Sequence, residues 1–354
     1  MLFRPSRRFV MLVVMTAAQY DPFEPGRFGV GVRTFEVRDQ DRARVFPGEI
    51  WYPAASSRPP GGSAEERGAR AAPGLRPLII FSHFSGGGRR TATYLTTHLA
   101  SHGYAVAAID HSEVVTPELA PSPDEDRSDR GRRIDVIIAS RVPDVRVLLS
   151  ALTGPHRPVG LDGIGLHPEL TGVAGHSFGG WTALAAPEQD SRVRAVVALA
   201  PGGSSRPTPG VLPLTLAFEW KRVLPVLILT GDSDVPVPLE GVQEIFGRAP
   251  EPKRMFVLRR ADHEHFADDV EASHEALRAT TLPGEAAWMT AAILPASKLC
   301  PGEHGHLFAR SLALAHLDST LRGSGSAEDF LAERAVRALA ARGVEASRFL
   351  LDQR

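Results

Sequence analysis

The chain reads as an α/β protein with a mostly parallel central sheet and helices on both faces. Three observations predict this. Runs such as Leu78–Phe81 and Tyr104–Ile109 are continuously apolar, the pattern of strands buried on both faces. Such runs alternate with stretches of helical periodicity. Most of them stop in clusters of Gly, Ser, Asp or His, and in a parallel sheet those strand ends gather on one edge, where ligands bind.

Length and composition set the bounds. The 354 residues, 43% hydrophobic, are enough for one large domain. The expected division is an N-terminal extension over 1–24, a catalytic domain over 25–322 and a helical tail over 323–354 packed on it. A net charge of −1 gives nucleic acid no reason to bind. Cys300 is the single cysteine, so no intrachain disulfide forms. That fits a reducing compartment, and a cytoplasmic location is expected. The alternative is a secreted or periplasmic protein. Arg4, Arg7 and Arg8 precede the short apolar run Phe9–Val14 and the small residues Thr16–Ala18, the layout of a weak signal peptide; a start at Met15 is the simpler alternative. The run is too short to span a bilayer, so no stable membrane insertion is expected.

In chain order, Val30–Val37 and Val45–Tyr52 form a strand pair around the polar turn Asp39–Arg44. Ser56–Gly74 is rich in Pro, Gly, Ser and charge and reads as an exposed loop. Pro77–Ser82 is a central strand, and Thr91–His102 has helical spacing through Tyr94, Leu95 and Leu99. Tyr104–Ile109 is a buried strand. Ser112–Arg133 is polar and reads as a solvated loop, with a mobile flap as the second option. Helical periodicity resumes over Ile134–Leu152. Leu170–Ala174, Val193–Ala200, Val223–Thr230 and Arg254–Leu258 are the later strands. Leu239–Phe246, Leu307–Leu321 and Ala327–Ala341 are helix-like.

The chemistry concentrates in Gly175–His176–Ser177–Phe178–Gly179, between an apolar strand and the helix-compatible run Trp181–Ala186. A serine that must project from the top of a parallel sheet needs a tight turn, and the positions two before and two after it favour glycine. Later strand ends supply an acid, Asp232 or Asp234, and a base, His263 or His265. Serine, acid and histidine then occur in the chain order of the nucleophile-elbow hydrolases. Asp234 is preferred because the chain has cleared the strand end three residues after Gly231. His263 is preferred because Phe266 can pack beneath its loop, leaving His265 exposed. The expected catalytic set is Ser177, Asp234 and His263: histidine activates the hydroxyl, and the carboxylate fixes its tautomer. The oxyanion would be held by the Phe178 amide and by the Ser85 amide, within His83–Phe84–Ser85–Gly86–Gly87–Gly88. His83, Phe84, His176 and Trp220 are candidate pocket residues.

These motifs resemble a known family. Glu49–Ala54, Phe81–His83 with its glycines, Leu99–Val106 and Gly175–Gly180 look like the α/β-hydrolases related to platelet-activating-factor acetylhydrolase and the dienelactone hydrolases. The resemblance spans about Val30 to Leu321. It implies the α/β-hydrolase fold and a serine esterase acting on short or oxidised acyl esters, with lipid degradation as a setting. The expected substrates are small-molecule esters of short or medium acyl chain. There are three departures. Phe84 replaces the family's usual glycine after the histidine. The acetylhydrolase branch carries its acid one strand earlier, where this chain has only Pro201–Gly203. Dienelactone hydrolases use cysteine, whereas position 177 is serine. No cofactor is expected. His263-x-His265 and His304-x-His306 match no standard zinc spacing, so no metal is expected either. A non-catalytic binding protein of the same fold and a cofactor-free perhydrolase are the alternative functions.

Overall fold

The computed structural model describes residues 20–56, 65–122, 124–282 and 284–351. The N-terminal segment read as a weak signal lies, through residue 19, outside the described residues.

Among the described residues, ten strands form one sheet: β1 (Gly29–Asp39), β2 (Arg44–Ala54), β3 (Glu66–Arg67), β4 (Arg76–Ser82), β5 (Ala105–Ile109), β6 (Leu166–His176), β7 (Val193–Leu199), β8 (Val226–Gly231), β9 (Lys253–Leu258) and β10 (Ala346–Phe349). Their spatial order is β10-β9-β8-β7-β6-β4-β5-β2-β1-β3. The six central strands, β5 to β9 through β4 and β6, run parallel. The hairpin β1–β2 joins β5 antiparallel at one edge, and β10 pairs antiparallel with β9 at the other. The α/β expectation is therefore the fold observed.

The helices are α1 (Thr93–Ser101), α2 (Ser112–Val115), α3 (Arg127–Thr153), α4 (Phe178–Gln189), α5 (Leu239–Arg248), α6 (Val270–Ala279), α7 (Met289–Ala292), α8 (Gly302–Leu321), α9 (Gly325–Asp329) and α10 (Ala335–Ala340). Two cores follow from the alternation of strand side chains. One face buries Leu78, Ile80, Val173 and Val196 against Val145, Leu148, Leu184 and Ile245 of α3, α4 and α5. The other buries Ile79, Phe81, Val197 and Leu227 against Leu95 and Leu99 of α1 and Phe308 and Leu312 of α8. Strands covered on both faces cannot alternate polar and apolar residues, which is why β5 reads Ala-Val-Ala-Ala-Ile and is buried throughout.

The structure differs from the sequence reading in four places. The stretch 112–133 is largely helical: α3 begins at Arg127, where the Asp126 carboxylate accepts the Asp129 amide at 2.7 Å. Its first two turns are polar, so apolar periodicity could not reveal them. The loop 56–74 pairs Glu66–Arg67 with β1, residues 57–64 lying outside the described set. The strand expected from Val223 starts at Val226, and Val223 is exposed. The tail, expected to be helical, adds the edge strand β10 after α10. No helix among the described residues is long and apolar enough to cross a membrane.

Candidate active site

The carboxyl ends of β4, β6, β8 and β9 converge on one edge, as right-handed parallel crossovers require. Ser177 sits between β6 and α4 with φ 59° and ψ −115°. A non-glycine residue in that region is strained, and such strain clusters at functional sites. Close contact explains the flanking glycines. A Cβ on Gly175 would lie 2.2 Å from the Gly179 carbonyl oxygen, and one on Gly179 would lie 1.9 Å from that of Ser82. The two glycines let the elbow press against the end of β4. Ser177 is half-buried, and its hydroxyl takes no hydrogen bond among the described residues. Phe178 is the first residue of α4, where backbone N–H groups lack intrahelical partners.

Asp234 and His263 meet as the sequence reading expected. Asp234 Oδ2 accepts from His263 Nδ1 at 2.7 Å, and its Oδ1 accepts from the Val237 amide at 2.7 Å. Both residues are buried. Burial alone would lower the His263 pKa, but the adjacent Asp234 carboxylate outweighs it and raises the pKa above the ordinary range. The bond to Nδ1 leaves Nε2 as the free face of the ring. Asp232 is used elsewhere: its Oδ1 accepts the Arg260 amide at 2.6 Å, and its Oδ2 pairs with Arg259 at 3.2 Å.

The expectation that His265 is exposed is overturned. It is 2% exposed, because Asp262 holds it. Asp262 Oδ1 accepts from His265 Nδ1 at 2.7 Å, and His265 Nε2 donates to the Cys300 carbonyl at 2.9 Å. Asp262 also accepts from the Glu264 amide and from His274 Nδ1. The result is a capped 3₁₀ turn over His263–Phe266 that fixes the direction of the His263 ring. Phe266 packs beneath it, fully buried, against His176 and Phe308.

Three expected pocket residues lie in the interior. His83 is fully buried, with Nδ1 donating to the Phe84 carbonyl and Nε2 accepting the His111 amide. His176 is buried behind His263, with ring centroids 4.7 Å apart, and burial followed by the His263 charge pushes its pKa well down. Trp220 is buried, its indole N–H donating to the Leu184 carbonyl at 3.1 Å. Phe84 alone of the four is half-exposed, edge-on to His176. Ser85 is exposed in the turn closed by the Gly87 amide on the Phe84 carbonyl, and its own N–H has no partner among the described residues.

A cavity of 470 Å³ lies beside the elbow, its lining including Pro201–Gly203, Val211, Leu212 and Pro236–Pro238. Its walls adjoin the site directly. The Gly202 amide donates to the Ser177 carbonyl, and Val237 binds Asp234. The sequence reading missed it because residues 201–224 form no regular element. A larger groove of 840 Å³ lies between the β1–β2 turn and α3 and shares no residue with this site. Among the described residues no group of His, Cys, Asp and Glu could hold a metal ion. His263, His265 and His306 each have a ring nitrogen engaged by protein oxygens.

The chain is similar to known proteins. The family model for platelet-activating factor acetylhydrolase, isoform II, matches residues 64–129, which contain β4, the glycine loop and β5. Platelet-activating factor acetylhydrolase of Canis lupus familiaris is 26% identical over 225 residues. The match takes in 54% of this chain and 48% of that protein, so the chain spans about half the length of that curated relative. The solved structure of a ferulic acid esterase from Streptomyces cinnamoneus superposes with a TM-score of 0.66 at 25% identity, covering 92% of this chain and 98% of that one. Sheet, elbow and these likenesses together make the chain an α/β-hydrolase-fold protein that resembles the platelet-activating factor acetylhydrolases and the esterases of that fold.

Proposed function

We propose that this protein is a metal-independent serine esterase that cleaves small-molecule carboxylic esters of short or medium acyl chain through an acyl-enzyme. One observation carries the reading: a strained, half-exposed Ser177 follows His176, whose ring stands 4.7 Å from that of His263, and His263 is held by buried Asp234 at 2.7 Å. The kinship with an acetylhydrolase and a ferulic acid esterase supports esters as the substrate class.

Ser177 attacks the ester carbonyl while His263 Nε2 takes its proton; the Nε2···Oγ contact closes in the substrate complex. Asp234 stabilises the imidazolium that forms. The Phe178 and Ser85 amides receive the oxyanion, each contributing about 3–4 kcal/mol to the transition state. As the intermediate collapses, the carbon–oxygen bond to the leaving alcohol breaks and His263 returns the proton to it. Water then repeats the sequence in reverse and frees the acid. The 470 Å³ cavity holds one arm of the ester.

The test is fluorophosphonate labelling with peptide mapping, alongside hydrolysis of nitrophenyl esters. Label is expected on Ser177 and is expected to be largely lost in His263→Ala; Ser177→Ala should be inactive. Full esterase activity in purified Ser177→Ala refutes the assignment.

A further inference from the structure

Arg141 of α3 is fully buried, and its guanidinium spans the two segments that carry the proposed oxyanion amides. Its Nη1 donates to the His83 carbonyl at 2.7 Å and to Ser82 Oγ at 3.2 Å. Its Nη2 donates to the Phe84 carbonyl at 3.2 Å and to Glu113 of α2, and Nε donates to Glu113 at 3.2 Å. The guanidinium carbon also stands 4.1 Å over the centre of the Phe178 ring.

The geometry of a trans peptide gives these contacts a consequence. A carbonyl and the N–H that follows it point in opposite directions. The Phe84 carbonyl is held inward by Arg141, by His83 Nδ1 at 2.6 Å and by the Gly87 amide at 3.1 Å. The Ser85 N–H therefore faces outward, and among the described residues nothing accepts from it. A buried array locks the arrangement from below. Ser82 Oγ lies 2.9 Å from His111 Nε2, His111 Nδ1 lies 3.2 Å from Asp144 Oδ2, and the His111 amide donates to His83 Nε2 at 3.1 Å. Charge-assisted bonds of this kind, in a dry interior, hold a loop more rigidly than neutral ones.

We infer that Arg141 is a positioning residue for the oxyanion hole: it aims the Ser85 amide and seats Phe178 while touching neither nucleophile nor substrate. The inference rests on the reading of Ser177 as the nucleophile. It reassigns a buried ion pair from structural ballast to transition-state stabilisation.

The test uses full-length protein with Arg141→Lys and with the charge-balanced pair Arg141→Met/Glu113→Gln, so that loss of one fold-sensitive variant still leaves the other. Rates are counted per site titrated by the acylation burst, which removes unfolded protein from the denominator. The expected result is a fall in kcat of about 10²–10³-fold, the size of losing one oxyanion donor. Affinity for a boronic-acid transition-state analogue should fall in parallel, with KM within about threefold and the midpoint of the pH profile unmoved. A merely structural role lowers the melting temperature and leaves kcat per titrated site within twofold of wild type, and that result overturns the inference. So does a rise in KM alone, or a shifted pH midpoint, which would trace the loss to His263. If Ser177→Ala proves active, the underlying nucleophile assignment fails. If Ser177→Ala is dead and both Arg141 variants run normally, only the positioning role fails.

Discussion

Gly179→Ala is the most direct perturbation of the elbow. The new Cβ would sit 1.9 Å from the Ser82 carbonyl oxygen, 2.5 Å from its carbon and 2.8 Å from the His83 carbonyl oxygen. All three are backbone atoms, so no side chain can swing away. A real Cβ essentially never comes within 3.0 Å of such a neighbour, so β4 and α4 must part by about 1.1 Å. Overpacking of this kind costs about 1–3 kcal/mol of stability. The functional cost is larger. The parting moves the Ser85 loop relative to Ser177, and a misplacement of about 1 Å costs roughly 10²-fold in rate. The assay pairs kcat/KM for nitrophenyl acetate with a urea midpoint. Gly131→Ala, at a position in α3 with nothing within 4 Å, is the matched control. It should gain up to about 1 kcal/mol and keep full activity. A folded Gly179→Ala protein with kcat/KM within threefold of wild type would refute the reasoning.

Two further outcomes follow from the buried ionisable groups. Because Asp234 raises the His263 pKa, kcat/KM should climb with pH through a midpoint above that of free imidazole. Asp234→Asn should cut kcat by about 10⁴-fold and move that midpoint down, since burial then acts unopposed; an unmoved midpoint would exclude Asp234 as the partner. Acid should weaken the fold. Burial, then His102 beside His98 and Arg254 beside His316, lowers both to about 3. Unfolding therefore takes up protons between the ordinary histidine value of about 6.5 and pH 3, and stability drops as pH falls through that window. Each group costs about 2 kcal/mol at pH 5. His265, raised to about 10, acts in the opposite sense: its contribution is complete below about 6.5 and fades as pH rises through 10. Urea midpoints at pH 7 and pH 5 test the first effect, and equal stability at the two would contradict it.

The parallel strands were legible because burial on both faces leaves uninterrupted apolar runs, and Gly175, Ser177 and Gly179 because close backbone contact tolerates no side chain. The elements that escaped are held by polar contacts. The first turns of α3 rest on the Asp126 cap and on Arg133 paired with Glu125 at 2.6 Å, which apolar periodicity cannot register. β10 is a four-residue edge strand without a fully buried residue. His265 was misjudged because its burial depends on Asp262, although the Asp262-x-x-His265 spacing is that of a capping box and could have signalled it. Arg141 and Asp144 had a comparable signal. They share the stripe of Ile137, Val145 and Leu148 on α3, where a charge must find a buried partner.

Distance alone would choose a serine other than the proposed nucleophile. Ser82, His111 and Asp144 form a connected Ser–His–Asp array at 2.9 and 3.2 Å, whereas Ser177 Oγ has no hydrogen bond among the described residues. What separates the two is access and backbone. Ser82 is fully buried in a regular strand, and its oxygen already accepts from Arg141, so no acyl group can reach it. Burial, then the Arg141 charge, lowers the His111 pKa, so its ring stays neutral and holds the Ser82 hydroxyl as a fixed donor. Ser177 is half-exposed, strained, and followed at once by a helix N-terminus. A hydroxyl satisfied on all sides is a structural part; one left open at a positive-φ turn, as Ser177 is, fits the nucleophile proposed for it. On the proposed mechanism the first array supports the second, because through Arg141 it holds the loop that carries the Ser85 amide.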